Sequence, residues 1–129
     1  DMKKNIYILC TLLCTTLLAS CQKADDNGDL GGFWKLLKIE ELANDTIIDK
    51  SGEDRFWSIQ LRMITTSNGG KGRFQHIEDS LFIQMPQKPR ESKDVGMYTP
   101  DNERFGVNKL TDRSMILQSS EVRLTFRKF

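Results

Sequence analysis

From Trp57 onward apolar and polar residues alternate: Trp57, Ile59, Leu61 and Met63 fall on one side, Ser58, Gln60 and Arg62 on the other. A repeat of two is what a strand needs when one face meets a core and the other meets water. The alternation returns in Leu81, Ile83 and Met85, in Phe105 and Val107, in Met115 and Leu117, and in Val122, Leu124 and Phe126. No stretch of this region carries the apolar stripe of a helix. Turn-forming residues fall between the runs: Asn68-Gly69-Gly70, Glu78-Asp79, Thr111-Asp112-Arg113 and Ser119-Ser120-Glu121. Connections this short join antiparallel neighbours, because a parallel pair needs a crossover of about a dozen residues or more. The pattern predicts an all-β domain, an antiparallel meander that closes into a small barrel or, alternatively, folds as a β-sandwich.

Three segments are less regular. Residues 32–40 read as a strand, or as one turn of helix followed by a strand. Residues 44–53 are polar apart from Ile47 and Ile48 and are expected to be a loop. Residues 86–96 carry Pro86, Pro89 and mixed charge, which predicts a second loop, either a lid or a solvated surface segment. The expected inward set is Trp57, Ile59, Leu61, Met63, Ile83, Phe105, Val107, Leu117, Leu124 and Phe126. It is large and almost wholly apolar, which favours a filled interior; any cavity would be small and suited to an apolar guest.

The first twenty residues follow another pattern. Lys3 and Lys4 precede an apolar stretch at 6–18 that ends on the small residues Ala19 and Ser20. Positive, then apolar, then small is the order of a secretory signal peptide. As a helix the stretch would rise roughly 20 Å, short of the ~30 Å hydrocarbon core of a bilayer. Leu18-Ala19-Ser20-Cys21 resembles the lipobox of bacterial lipoproteins, in which the cysteine thiol is linked to diacylglycerol before cleavage on its N-terminal side. The resemblance implies a signal peptide at 1–20, lipidation of Cys21 and a membrane anchor at that residue. Residues 21–31 then form a flexible polar tether, and 32–129 form the β domain. Gln22-Lys23-Ala24-Asp25-Asp26 is similar to the surface-export signal of Bacteroidetes lipoproteins, which implies an outer-membrane protein displayed on the cell surface, with the periplasmic face as the alternative. Asp45-Thr46-Ile47 and Asp79-Ser80-Leu81 resemble the O-glycosylation motif of the same bacteria, which would place sugars on Thr46 and Ser80.

Composition narrows the function classes. The 129 residues hold 19 Lys and Arg against 18 Asp and Glu, so the basic excess of a nucleic-acid binder is missing and no nucleic-acid partner is expected. Seven Phe and two Trp supply a core that a disordered chain lacks. Of the three cysteines, Cys10 and Cys14 fall in the leader and Cys21 would carry lipid, so the domain is expected to hold together without a disulfide.

Gly32-x-Trp34 at the start of the first strand, with a meander ending in the basic and aliphatic strand at 122–129, resembles the small lipocalin-like lipoproteins of Bacteroidetes. The resemblance implies a lipocalin-like barrel with Trp34 plugging one end. Arg123 or Arg127 would pack across its ring through apolar contact and cation–π attraction. Gly32, Trp34, Arg123 and Arg127 are thus the expected barrel-closing motif.

Chemistry-bearing residues are sparse. His76 is the one histidine, and it has no second histidine or mature thiol with which to share a metal. It reads as an ordinary edge-strand residue. Ser58, Ser80, Ser114 and Ser119 sit in no nucleophile elbow. Gly69-Gly70-Lys71-Gly72 lacks the phosphate-loop spacing and reads as a hairpin turn. The adjacent carboxylates Glu40-Glu41 and Glu53-Asp54 would point to opposite faces of a strand. Met97-Tyr98-Thr99-Pro100 either edges a binding mouth or packs beneath a loop. No catalytic residue, cofactor or metal site is assigned, so the domain is expected not to be an enzyme. The expected partners are a membrane, reached through the lipid on Cys21, together with a small hydrophobic ligand or a surface protein. In the second case a filled barrel serves as an accessory interaction module.

Overall fold

The structure, a computed structural model, describes residues 27–129; the signal peptide, Cys21 and the export-like segment 22–26 lie outside the described residues. The alternation resolves into β1 (Gly32–Glu41), β2 (Thr46–Asp49), β3 (Phe56–Gln60), β4 (Met63–Thr66), β5 (Lys71–Ile77), β6 (Ser80–Gln87), β7 (Glu103–Leu110), β8 (Ser114–Gln118) and β9 (Val122–Lys128). Short 3-10 turns at Gly28–Leu30 and Ser92–Val95 complete the elements.

Every ladder is antiparallel, and β3 to β9 follow one another as a meander. The last strand returns to the first: β9 pairs along β1 from Trp34↔Lys128 to Glu41↔Val122. On its other edge β1 pairs with β3 through Gly32 to Lys35 and with β2 through Lys38 to Glu41. Since β2 and β3 run in the same direction along one edge, they share a position, and nine segments build an eight-strand closed barrel. Closure removes the free edges that an open meander would leave. The architecture is therefore a barrel and not the sandwich.

Several expectations need correction. Residues 32–40 are strand throughout, and the helical turn lies ahead of them at Gly28–Leu30. A bulge between Leu36 and Lys38 moves the inward position from Leu36 to Ile39, which explains the irregular reading of this run. Residues 44–53 are not all loop, because Thr46–Asp49 takes the stretch of β1 edge that β3 leaves open. Backbone pairing on an edge does not require an apolar pattern. The expected strand from Trp57 to Met63 is two strands: Gln60 pairs with Met63 across a two-residue turn at Leu61 and Arg62. Leu61 holds φ at +54°, and both Leu61 and Met63, expected to point inward, are exposed. Val107 is half-buried against the core. Finally, β6 runs through Pro86 to Gln87 before the loop begins. Pro86 lies past the end of the β6–β7 ladder at Ile83, where a missing N–H costs least.

The core sits inside the barrel. Trp57 lies 4.7 Å from the Phe126 ring and 5.9 Å from Phe105, and all three are buried with Trp34, Leu36, Ile64, Ile83 and Leu117. Each large side chain buried in this way contributes about 1.5–3 kcal/mol. Packing is the main source of stability here, since residues 27–129 contain no cysteine.

Candidate functional site

The barrel has two unlike ends. At the N-terminal end β1 begins, β3, β5, β7 and β9 finish, and the turns at 61–62, 78–79 and 111–113 lie. At the opposite end lie the turns at 42–45, 67–70 and 119–121 and the long loop 88–102.

The N-terminal end is closed by the residues that precede β1. Leu30 is fully buried, and its carbonyl accepts a hydrogen bond from Trp34 Nε1 at 2.8 Å. Residues 27–31 of the expected tether therefore belong to the folded domain. Lys128 Nζ stands 4.8 Å from the centre of the Trp34 ring and donates to the Asp29 carbonyl at 2.8 Å. Gly32 holds φ at +126°, and a β-carbon there would stand 3.4 Å from Lys128 Cε, so glycine keeps the lysine stem against the indole. The cation of the closing motif is thus Lys128 and neither expected arginine. Arg123 Nε donates to Gln118 Oε1 at 3.1 Å with its guanidinium 3.8 Å from Glu40, while Arg127 is exposed. Parity gives the reason. Val122, Leu124 and Phe126 point inward, and the next inward step is Lys128.

The opposite end is covered by loop 88–102. Val95 and Met97 descend into the core, and the Val95 carbonyl accepts from Trp57 Nε1 at 2.8 Å. Asp94 accepts from Lys50 Nζ and Arg55 Nε, and Lys50 also reaches Glu53 at 3.0 Å. The Lys50 hydrogen bond, reinforced by Arg55, holds the Asp94 carboxyl below its ordinary value against an opposing push from burial. The same contact to Asp94 raises Lys50. Gly96 sits at φ +84°, where a β-carbon would fall 2.7 Å from a Leu124 methyl. Tyr98 is half-buried in the lid; burial, and then its hydrogen bond to Glu41, pushes its phenol up to about 12. Tyr98 with buried Met97 therefore packs as part of the loop. Glu103, also buried, accepts from the Thr99 N–H at 2.5 Å, and burial raises its carboxyl above the usual range.

Between these two closures the interior is filled. Trp34, Trp57, Phe105, Leu81 and Ile83 are completely buried and Phe126 almost so, which leaves no space for a water molecule beside the first five. An open groove of about 1150 Å³ lies outside the barrel, between the 61–62 turn and β5. It forms because the β4–β5 ladder ends at Met63↔Arg73, while β5 continues to Ile77 beside β6. Leu61, Met63, Ile77 and Phe82 supply its apolar walls, and Arg62 and Arg73 its cations.

The remaining candidates do not converge. His76 is exposed on β5 at this groove. Ser58, Ser80, Ser114 and Ser119 lie on β3, on β6, on β8 and in the 119–121 turn. Thr46 is exposed at the start of β2, and Ser80 is half-buried at the start of β6. The Gly69-Gly70 segment forms the turn between β4 and β5. Among the described residues no group of three His, Cys, Asp or Glu side chains is placed to hold a metal ion.

Solved structures share this barrel. A lipocalin-like protein from Bacteroides uniformis ATCC 8492 superposes with a TM-score of 0.63 at 20% identity, covering 79% of this chain and 100% of its own. An uncharacterized protein from Bacteroides eggerthii DSM 20697 gives a TM-score of 0.60 at 17% identity, with 77% of this chain and 98% of its own covered. No curated protein matches the chain. Residues 16–129 match the lipocalin-like domain family, to which this chain therefore belongs.

Proposed function

We propose that this chain is the folded head of a non-enzymatic outer-membrane lipoprotein, displayed at the cell surface, whose filled barrel works as an interaction module through its outer face. The observation that carries this reading is the packed interior: Trp57, Phe105 and Phe126 occupy the space a ligand would need. The scatter of His76 and the serines over separate strands supports a non-catalytic role. The lipobox resemblance at Cys21 supports the anchor. A single myristoyl-length chain binds membranes only marginally, whereas the two or three chains that the resemblance implies would hold firmly.

Titration of the protein with fatty acids and hydrophobic dyes tests the module reading. No saturable binding is expected; one-to-one saturation with a change in tryptophan emission would replace it with a ligand-carrying role. Cys21→Ser tests the anchor, with the protein moving from the membrane fraction to the soluble one.

A second reading has its own support. Val95 and Met97 come from a loop and not from a strand, so outward movement of 88–102 would vacate apolar space for a small guest. Dye binding by Asp94→Asn, where the parent binds none, would favour that role.

A further inference from the structure

We infer that the N-terminal end of the barrel is a second membrane contact, lying on the anionic lipid surface into which the Cys21 anchor inserts; the inference rests on the lipoprotein reading above. Among the described residues the exposed large apolar side chains are Phe33, Ile47, Leu61, Met63, Ile77 and Phe129. Scattered singly they would need no explanation. All except Ile47, however, share one rim. Leu61 lies in the β3–β4 turn and Met63 follows it, Ile77 ends β5, and the Phe33 carbonyl accepts from the Phe129 N–H at 2.9 Å. Apolar side chains gathered in this way mark a surface that something covers.

Where the chain leads indicates the occupant. Asn27 lies at the same rim, with Nδ2 donating to the Leu61 carbonyl at 2.8 Å. Six residue steps separate it from Cys21, a reach of at most about 20 Å when fully extended. The ten residues of β1 span about 30 Å, so a lipid on Cys21 holds this rim near the headgroups and leaves the lid end farther off. Charge has the same polarity. Arg62, Arg73, Lys109, Arg113, Arg127 and Lys128 outnumber Asp29, Glu78, Asp79 and Asp112 at this end. The turns and loop of the lid end carry Asp45, Glu91, Asp94, Asp101 and Glu121 against Lys88, Arg90 and Lys93, and Glu40 and Glu41 at the end of β1 add to the acidic side. Apolar side chains with interspersed cations suit shallow insertion into an anionic leaflet.

The test uses the full chain carrying Leu61→Cys or, as control, Ile47→Cys. Once the leader with Cys10 and Cys14 has been cleaved and Cys21 acylated, no other cysteine remains at 22–129, and a polarity-sensitive fluorophore reacts at the introduced thiol alone. The acylated protein is placed in vesicles of phosphatidylethanolamine and phosphatidylglycerol containing a spin-labelled lipid. The probe at 61 is expected to be quenched and blue-shifted and the probe at 47 to show neither change; Arg62→Glu with Arg73→Glu should reduce the quenching at 61. Equal, unquenched emission at both sites in protein whose Cys21 mass shows the lipid overturns the contact and leaves the anchor standing. So does a probe at 61 that is shielded in cells but unquenched in vesicles, since a protein then covers the rim. Absence of the lipid mass removes the anchor and the contact together, so the mass distinguishes the two failures.

Discussion

At one end of the barrel Leu30 and Trp34 form an apolar plug with Lys128 across the indole; at the other, a loop carrying Val95 and Met97 is fastened by charges around Asp94. The plug draws its strength from buried area and does not depend on any carboxylate. The lid draws part of its hold from ionised partners and is therefore open to pH and salt. Similar closures of one barrel thus differ in what would release them.

Trp34→Ala should break the plug with the largest effect, about 3–5 kcal/mol lost in urea unfolding, because a cavity replaces the ring and Leu30 loses its hydrogen bond. A loss below about 1 kcal/mol would mean that Trp34 does not hold that end. Asp94→Asn should cost less, about 1–2 kcal/mol, since its partners keep some access to water. Hydrogen exchange would locate the loss in 88–102 and leave the strands protected.

The same cluster sets a pH window. Asp94 is depressed in the folded state, so its contribution is complete above the ordinary value of 3.8 and is lost as pH falls through the lower folded value. Lys50 is raised, so its contribution is complete below 10.5 and is lost as pH rises through the higher folded value. Protection of the lid amides, taken relative to their intrinsic exchange rate at each pH, should fall at both extremes in the parent and stay flatter in Asp94→Asn, while protection around Leu30 follows neither.

Lys128→Met sharpens the comparison at the plug. It should cost about 0.5–1 kcal/mol through the lost cation–π contact, against less than about 0.5 kcal/mol for Arg127→Ala. Equal losses in thermal melts would count against the parity argument. The smallest effect is expected at Glu103. Burial raises this carboxyl, so its ionisation opposes folding above that point and its protonation favours folding as pH falls. Glu103→Gln keeps an acceptor for Thr99 and should give a small gain at neutral pH that vanishes in acid.

Much of the wall was legible in the chain. Period two located β6, β8 and β9 and their inward residues, and the same count carried one step beyond Phe126 would have found Lys128. Other features gave no local signal. Leu61 turns the chain without Gly, Asn or Pro, so the alternation simply runs through it. Strand β2 does not alternate, since Ile47 and Ile48 are adjacent, and its pairing is backbone to backbone along an edge. Two prolines announced a loop near 86–96, yet Val95 and Met97 carry no periodic mark showing that they enter the core. The ionic cluster joins Lys50, Arg55 and Asp94 across some forty positions, beyond the reach of any short motif.

The sequence by itself determined which faces are apolar, where the short turns fall and hence an antiparallel meander, because side-chain alternation and turn chemistry act between near neighbours. Only the tertiary structure decided that β9 closes on β1, that β2 and β3 share one position, that the interior is full, and that a lysine caps the tryptophan. Those outcomes depend on which distant segments compete for the same edge and the same volume, and periodicity along a chain reports a residue's face without naming the neighbour that will fill the space beside it.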